Sequence, residues 1–360
     1  MTRHITAATE AKARIPISPV PAPALDLSSI GTPQALSAAL KADGSLPDAD
    51  VVLITWTDME WNALDHVFVH GDEPRQADAT SWKNAWRTYN KGADPFQTDG
   101  YGGPLWGDFQ MVQVNGHRVL LLKSNAHLAH EPWIKGLRAM IQSILDDTQA
   151  KSILSLGTAG GARLEQKLGD VVVTNAAYLQ ATLPDNKGDA ANGKTFTSAW
   201  FPPLALVQQA QKLLFPLAQA ASSADLATLF AMEPDLQSSG IQAADLINAP
   251  LCNLSSPTVR PMQGIPLNSS DDYGIAPGDG DDPYSVYEED DAVIAQVATE
   301  RQVQYASVRN VSDPVVPDKA GPVTLSLSQR KAWSGAIYSR YQFLTAVNGA
   351  IAGLAMVAAM

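Results

Sequence analysis

The chain has 360 residues, of which 45% are hydrophobic and 17% charged, and its formal net charge is −12. This composition is typical of a globular protein and excludes an intrinsically disordered one. The negative charge argues against a broad nucleic-acid surface, because phosphate backbones would be repelled at long range. The single cysteine, Cys252, excludes an internal disulfide and fits a reducing compartment, so we expect a cytoplasmic protein.

The first 48 residues are expected to be an N-terminal extension. They lack the continuous apolar core of a secretion signal, and their proline-rich segment 16–23 favours an extended or loosely docked arm. No linker or internal repeat divides the remaining residues, 49–360, which we therefore expect to form one domain.

The first predicted strand is the β-branched apolar run 51–55, a pattern typical of a strand buried on both faces. Apolar residues at helical spacing follow in "DMEWNALDHVF". The spacing of Trp82, Trp86 and Tyr89 predicts a further helical stripe.

A β-hairpin is predicted next, because two apolar runs flank Asn115-Gly116, the dipeptide that tight hairpin turns favour. The remaining predicted elements follow in chain order: helix 131–147, strands 153–156 and 171–174, helices 204–221 and 224–233, loops over 250–285, helix 290–300, strand 305–311 and a long helix from Ser326 onward. Buried strands separated by helices indicate an α/β fold around a central sheet.

The last twenty residues, 341–360, carry no charge and are long enough to cross a bilayer. They are rich in alanine and glycine and continue the helical pattern that precedes them. We therefore expect a buried C-terminal helix and no membrane partner.

A glycine cluster, "GTAGG" at 157–161, is expected to form a loop between two strands, and glycines at this density let a ligand approach the main chain closely. A dinucleotide site is disfavoured because the Gly-x-Gly-x-x-Gly spacing is missing. A P-loop is disfavoured because no Gly-Lys-Ser/Thr follows.

Four motifs in order along residues 51–313 together resemble the purine nucleoside phosphorylase and nucleosidase superfamily, in its methylthioadenosine/S-adenosylhomocysteine nucleosidase-like branch. "LGTAGGARLEQKLGDVVV" resembles its glycine signature, and "ASVRNVSDP" resembles its Val-Arg-x-Ile/Val-Ser-Asp strand end. "EEDDAVIAQVA" is similar to its Met-Glu-Ala-Ala-Ala-Ile-Ala helix, and "DMEWNAL" occupies the place of its glutamate-bearing first loop.

The resemblance implies a single three-layer α/β domain, with a central mixed sheet flanked by helices and a long C-terminal helix. Relative to compact members, residues 70–108 are an insertion that could form a lid or an oligomer interface. Each motif lies at a strand end or at the start of the next helix, where open α/β sheets collect ligands. Distant residues can therefore converge on a nucleoside or nucleotide.

Hydrolysis is favoured over phosphorolysis by the first loop. Phosphorylases of this superfamily hold phosphate with arginines and a Gly-Asp-Pro-type loop, whereas this loop reads "TDME", and Ser155 stands where hexameric phosphorylases keep an arginine. Nucleosidases carry a glutamate in this loop to take a proton from water, and Glu60 matches its position.

The resemblance assigns a role to each candidate residue. Glu60 is the general base, and Asp313 donates a proton or a strong hydrogen bond to purine N7. Asp290 accepts hydrogen bonds from the ribose hydroxyls, and Thr158 faces the ribose or the water. The other predicted substrate-binding residues are Ala159, Gly160, Tyr273, Glu289, Arg309 and Ser312.

The acidic run 288–291 departs from the superfamily pattern. The usual methionine is Glu289 and the ribose glutamate is shortened to Asp290, so an alternative register gives the ribose role to Glu289 or Asp291. Such a run also fits a solvated helix N-terminus. It disfavours an anionic group nearby unless a cation such as Arg309 or Arg163 pairs with it.

Other interpretations remain open. Glu60 also fits an early helix residue stabilised by the helix dipole, and Asp313 before Pro314 fits a turn former. His127 and His130 are a weak metal pair, and we expect neither metal nor organic cofactor. Alternatives to a nucleosidase are a phosphate-dependent phosphorylase, a non-catalytic nucleoside-binding protein and a nucleotide hydrolase that acts in defence. Superfamily members are usually oligomers, so a homo-oligomer is expected.

Overall fold

The computed structural model describes residues 19–91, 106–131, 133–217, 222–247, 249–252, 257–280 and 282–360. The strands in these ranges are β1 (Gln34–Leu36), β2 (Val51–Thr55), β3 (Arg87–Tyr89), β4 (Gly107–Val114), β5 (His117–Ser124), β6 (Ser152–Gly161), β7 (Val171–Thr174), β8 (Ala176–Gln180), β9 (Thr195–Thr197), β10 (Val259–Pro261), β11 (Leu267–Ser270), β12 (Val286–Glu288), β13 (Gln304–Asp313), β14 (Lys319–Ala320) and β15 (Val323–Thr324).

The helices in the same ranges are α1 (Asp58–Phe68), α2 (Trp133–Thr148), α3 (Leu204–Gln211), α4 (Ser223–Ala231), α5 (Pro234–Gln237), α6 (Ala243–Leu246), α7 (Ala249–Cys252), α8 (Asp291–Glu300) and α9 (Leu327–Ala358). A 3₁₀ turn spans Ser81–Ala85.

One mixed sheet dominates the fold. Within the described residues it has 13 strands, ordered β1-β4-β5-β2-β6-β12-β11-β8-β9, with β13 beside β6, β7 between β13 and β10, and β3 beside β4. The central strands β5, β2, β6 and β13 run parallel, whereas β12 pairs with β6 in the antiparallel direction. The expected central mixed sheet is therefore confirmed.

Two hydrophobic cores lie on the two faces of the sheet. Along β2, Leu53 enters one core while Val52 and Ile54 enter the other, because successive side chains point to opposite faces. Helices α1 and α9 cover the first face, and α2 and α8 cover the second. This gives the expected three-layer architecture.

The long C-terminal helix is part of the core. By length and composition α9 could cross a membrane, but 89% of an apolar 18-residue stretch within it is buried inside the protein. Gly353 lets α9 approach β6 closely, because a Cβ there would lie 2.5 Å from Leu156 Cδ2.

The described part of the N-terminal extension docks on the domain. The amide of Val20 donates to the carbonyl of Arg340 at 3.1 Å, and Leu25 donates to Gly71 at 2.8 Å. The proposed limits of the extension and of the domain remain predictions. Residues 1–18, and residues 92–105 of the proposed insertion, lie outside the described residues.

The predicted helical stripe of Trp82, Trp86 and Tyr89 is wrong. Trp82 lies in the 3₁₀ turn, whereas Tyr89 lies in β3. Tertiary packing explains the difference, because the rings of Trp82 and Trp86 pack edge-on against Trp61, with centroids 4.9 and 5.4 Å away. Trp86 Nε1 also donates to the buried Asp65 at 2.8 Å.

We predict that Gly353→Ala destabilises the protein by about 1–2 kcal/mol, because its new methyl group overpacks against Leu156. Gly335→Ala on the same helix is the matched control, since a Cβ there meets nothing within 4 Å. The control should gain about 0.5–1 kcal/mol from helix propensity. Urea unfolding midpoints measure both values, and equal effects of the two substitutions would contradict close packing at Gly353.

Candidate active site

A cleft opens where β2, β6, β12 and β13 end. All the predicted site residues line it: Glu60, Thr158, Ala159, Gly160, Tyr273, Glu289, Asp290, Arg309, Ser312 and Asp313. The structure thus brings together residues from distant parts of the chain, while their roles remain predictions.

The glycine cluster is the end of strand β6, and the expected loop at 157–161 is wrong. Pairing explains this, because β13 lies parallel to β6 along this stretch while Gly160 and Gly161 pair with β12. The glycines are needed for close approach. A Cβ at Gly157 would overlap Arg309 Nη1 and lie 3.0 Å from Glu60 Oε1.

Glu60 lies in the first turn of helix α1 and lines the cleft. Thr57 caps the helix by accepting from the Glu60 amide at 3.2 Å, and Glu60 Oε2 accepts from the Thr57 amide at 2.9 Å. Its other oxygen, Oε1, accepts from the amide and the hydroxyl of Thr158, both at 2.7 Å. The carboxylate is therefore a capping group and a wall of the cleft at once.

Glu60 is buried, only 5% exposed, and yet its pKa lies below the ordinary value of a glutamate. Burial by itself raises the pKa. The positive charge of Arg309 and the hydrogen bonds from Thr158 and Thr57 outweigh burial. Glu60 is therefore ionised at neutral pH, as a general base must be.

Arg309 is a buried cation enclosed by acceptors. Nε donates to Asp291 Oδ2 at 3.0 Å, and Nη2 donates to Ser155 Oγ at 2.9 Å. Nη2 also lies 3.1 Å from Glu288 Oε2, and the guanidinium carbon lies 4.9 Å from the ring centroid of Trp56. Its Nε and Nη2 donors are thus committed within the protein.

Asp291 belongs to this arginine cluster. It is fully buried, and its Oδ1 accepts from Arg309 Nη2 at 2.5 Å while the hydroxyls of Ser155 and Ser307 donate to its two oxygens. It is absent from the lining of the cleft as described. Of the alternatives for the ribose role, the geometry favours Glu289 or Asp290 over Asp291.

Glu288 supports the turn before helix α8. Its Oε2 accepts from the Asp290 amide at 2.7 Å, and its Oε1 accepts from the Asp291 amide at 3.1 Å and from the Ser269 hydroxyl. Burial, and next the charge of Asp291, raise the pKa of Glu288 to about 8 in spite of the nearby Arg309.

His127 contacts the two acidic residues that face the cleft. Its Nε2 lies 3.3 Å from Glu289 Oε2 and 3.2 Å from Asp290 Oδ2, and its ring stacks on His130 with centroids 5.0 Å apart. Asp290 Oδ1 accepts from the Leu128 amide at 2.8 Å. Burial raises the pKa of Asp290 well above its ordinary value.

Asp313 lies at the end of β13, after a shift in its register with β6, and is only 4% exposed. Ser312 Oγ donates to Asp313 Oδ1 at 2.7 Å. Ser334 Oγ of helix α9 donates to Oδ2, and Tyr273 bonds to Ser334 at 2.7 Å. A Cβ at Gly160 would lie 3.1 Å from Asp313 Oδ2.

Several residues of the cleft were not among the predicted site residues. They are Trp56, Thr57, His127, Gly274, Tyr287, Glu288 and Tyr338. Two sequence signals point to some of them. His127 lies in "KSNAHLAH", at the end of the second predicted hairpin strand, and Trp56 and Thr57 directly follow the first strand. Tyr338 carries no such signal, because in sequence it is one more residue of a long apolar helix.

No group of three or more His, Cys, Asp or Glu side chains within the described ranges could hold a metal ion. His127 and His130 stack on each other, and His127 faces carboxylates. The chemistry that these residues can perform is proton transfer and hydrogen bonding.

Neither a protein-family profile nor a curated protein matches the chain. Solved structures do match it. A 5′-methylthioadenosine/S-adenosylhomocysteine nucleosidase from Neisseria meningitidis, in complex with methylthio-immucillin-A, is 14% identical, with 86% of this chain and 99% of that chain covered and a TM-score of 0.48.

Two further matches are similar in extent. The nucleosidase of the same name from Colwellia psychrerythraea, in complex with adenine, is 14% identical, with 86% and 95% covered and a TM-score of 0.47. Futalosine hydrolase of Helicobacter pylori is 11% identical, with 86% and 97% covered and a TM-score of 0.48. At these values the likeness concerns the fold alone.

We predict that Arg309→Gln lowers the free energy of unfolding by about 3–5 kcal/mol near neutral pH, because Asp291 and Glu60 lose a buried counter-ion. Without the charge of Arg309, burial raises the folded-state pKa of Glu60 towards or above its unfolded value of about 4, so the deficit grows as pH rises and shrinks in acid. Urea midpoints at pH 5 and pH 8 measure both effects.

Arg138→Gln is the matched control for this prediction. Arg138 bonds Asp189 through two nitrogens at 3.0 and 2.9 Å, but both side chains are partly exposed. We expect this variant to lose about 1 kcal/mol or less. Equal losses for the two arginines would contradict the buried-charge account of Arg309.

Proposed function

We propose that the protein hydrolyses the N-glycosidic bond of a purine nucleoside or nucleotide, releasing the free base and a ribose product. The observation that carries this proposal is that Glu60 and Asp313, 253 positions apart in the chain, line one cleft. Glu60 accepts a hydrogen bond from the Thr158 amide, and the Asp313 carboxyl lies against Gly160.

Glu60 is the proposed general base. Its lowered pKa keeps it ionised at neutral pH, so it can take a proton from water as that water attacks C1′ of the ribose. The hydrogen bonds from Thr158 fix one carboxylate oxygen at the wall of the cleft. A base held in this way needs no reorganisation when the water arrives.

Asp313 is the proposed acid. As the C1′–N bond breaks, its electron pair moves to the base, and a proton or strong hydrogen bond from Asp313 to N7 neutralises the developing charge. Positioned proton transfer of this kind is typically worth about 10²–10⁴-fold in rate. Ser312 and the strand end hold the carboxyl group beside Gly160.

The acidic turn is the proposed ribose site. Glu289 and Asp290 line the cleft side by side, and two adjacent acceptors suit the vicinal 2′ and 3′ hydroxyls. The main chain at Ala159 and Gly160 is exposed to ligand because glycine leaves it uncovered. Tyr273 contributes an aromatic wall.

Phosphorolysis is the second candidate, and the surroundings of Arg309 favour hydrolysis over it. Among the described residues, the cations that line the cleft are Arg309 and, when protonated, His127. Arg309 is committed to Asp291, Ser155 and Glu288, and His127 faces carboxylates. A phosphate co-substrate would have to displace these acceptors in order to bind Nε or Nη2 of Arg309. Turnover that requires added phosphate would support a phosphorylase instead.

The remaining parts of the proposal follow from this chemistry. Proton transfer by carboxyl groups requires neither metal nor organic cofactor, and the partner is a small nucleoside or nucleotide. We further propose that the protein is cytoplasmic and that it is a homo-oligomer, and sedimentation of the purified protein tests the oligomeric state.

We predict that Asp313→Asn removes nearly all base release, because an amide cannot supply the proton. The assay incubates nucleosides and nucleotides with the protein, with and without phosphate, and detects free base by chromatography. The control is Asp189→Asn, because Asp189 is paired with Arg138 and is absent from the lining of the cleft as described. This variant should retain activity. An active Asp313→Asn protein would overturn the assignment of the acid.

We predict that Glu60→Gln abolishes hydrolysis while ligand affinity is kept, because the amide cannot accept the proton of water. The substitution also disturbs the helix cap. Gln329→Ala is therefore the control, since Gln329 holds the corresponding third position of α9, where its Oε1 accepts from the Ser326 amide at 2.9 Å, and the cleft carboxylates stay intact. Isothermal titration with a non-hydrolysable nucleoside measures affinity, and its loss in a folded Glu60→Gln protein would indicate a structural role.

A further inference from the structure

The hydrogen bonds around Asp313 extend into the C-terminal helix. Ser334 Oγ donates to Asp313 Oδ2, and the phenolic oxygen of Tyr273 lies 2.7 Å from Ser334 Oγ. Ser334 is only 2% exposed. A buried hydroxyl that contacts the candidate acid can affect both its orientation and its proton affinity.

The fold fixes the place of this hydroxyl. Ser334 lies one helical turn before Tyr338, which itself lines the cleft, so α9 presents both side chains to the same side. Tyr273 comes from the loop after β11 and meets Ser334 from another element. Asp313 is thus held by its own strand through Ser312 and by α9 through Ser334.

The direction of donation has a chemical consequence. A carboxylate only accepts hydrogen bonds, so Ser334 donates its proton to Asp313 and is left to accept the phenolic proton of Tyr273. Donors to a carboxylate favour its charged form. Both hydroxyls therefore make proton release from Asp313 easier and fix the plane of its carboxyl group.

We propose that Ser334, oriented by Tyr273, is a positioning residue that sets the orientation of Asp313 and the pH range in which Asp313 keeps its proton. This inference rests on the proposed function, in which Asp313 gives a proton to the leaving base. The competing account is a purely structural bond that ties the loop containing Tyr273 to α9.

The first experiment is the pH dependence of base release in Ser334→Ala, Ser334→Thr and Tyr273→Phe. Loss of a hydrogen bond to a charged group should move the alkaline limb of Ser334→Ala to higher pH by about one unit. Its kcat at the optimum should fall about tenfold, because the carboxyl is no longer held in place. Tyr273→Phe should shift the limb in the same direction by less, and Ser334→Thr should restore the original profile.

Ser339→Ala is the matched control on the same helix. Ser339 Oγ donates to the carbonyl of Gly335 at 2.8 Å, and the residue is absent from the lining of the cleft as described. Its pH profile should be unchanged. If Ser334→Ala lowers kcat without moving the alkaline limb, the role of Ser334 is structural and the proposal is overturned.

A second readout does not depend on activity. Isotope-edited infrared spectroscopy follows the carbonyl band of protonated Asp313, assigned by its loss in Asp313→Asn. The band should persist to higher pH in Ser334→Ala than in the original protein, and an unmoved titration would overturn the proposal. If the original protein releases no base, the proposed function fails while this titration still tests the coupling of Ser334 to Asp313.

Discussion

Burial of the Arg309 guanidinium is the constraint on which the site depends. A cation removed from water must be surrounded by acceptors, and Asp291, Ser155 and Glu288 provide them. The guanidinium occupies the space that a side chain at position 157 would need, so that this position is glycine. Its charge also lowers the pKa of Glu60. One buried charge thus accounts for the glycine, for part of the acidic turn and for the ionised state of the candidate base.

Local patterns predicted the regular elements well where the physics is local. The run 51–55 is apolar throughout, with no polar face that a surface helix would turn to solvent, and it forms a strand buried on both faces. The tight hairpin turn has positive φ at Asn115 and Gly116, as its dipeptide predicts. Prediction failed where contacts with distant residues override the local pattern. The glycine cluster at 157–161 continues as a strand because β12 and β13 pair with it. Trp82 and Trp86 leave the predicted helical stripe because their rings pack edge-on against Trp61.

The candidate site was predictable to the extent that it is built from strand ends. Asp313 follows a buried strand and Glu60 opens a helix after another, so the topology alone brings them to one edge of the sheet. Ser334 and Tyr338 could not be found in this way. They lie on a long apolar helix whose sequence has no signal for which turn faces the cleft, and only the packing of α9 on the sheet decides it.

Glu60 accepts two separate sets of hydrogen bonds, and this affects how loss of activity could be recognised in diverged copies of this fold. Because the same carboxylate caps α1 and accepts from Thr158, a copy that no longer turned over substrate would still be selected to keep this glutamate in order to stay folded. Retention of the early glutamate alone is therefore no mark of a working enzyme.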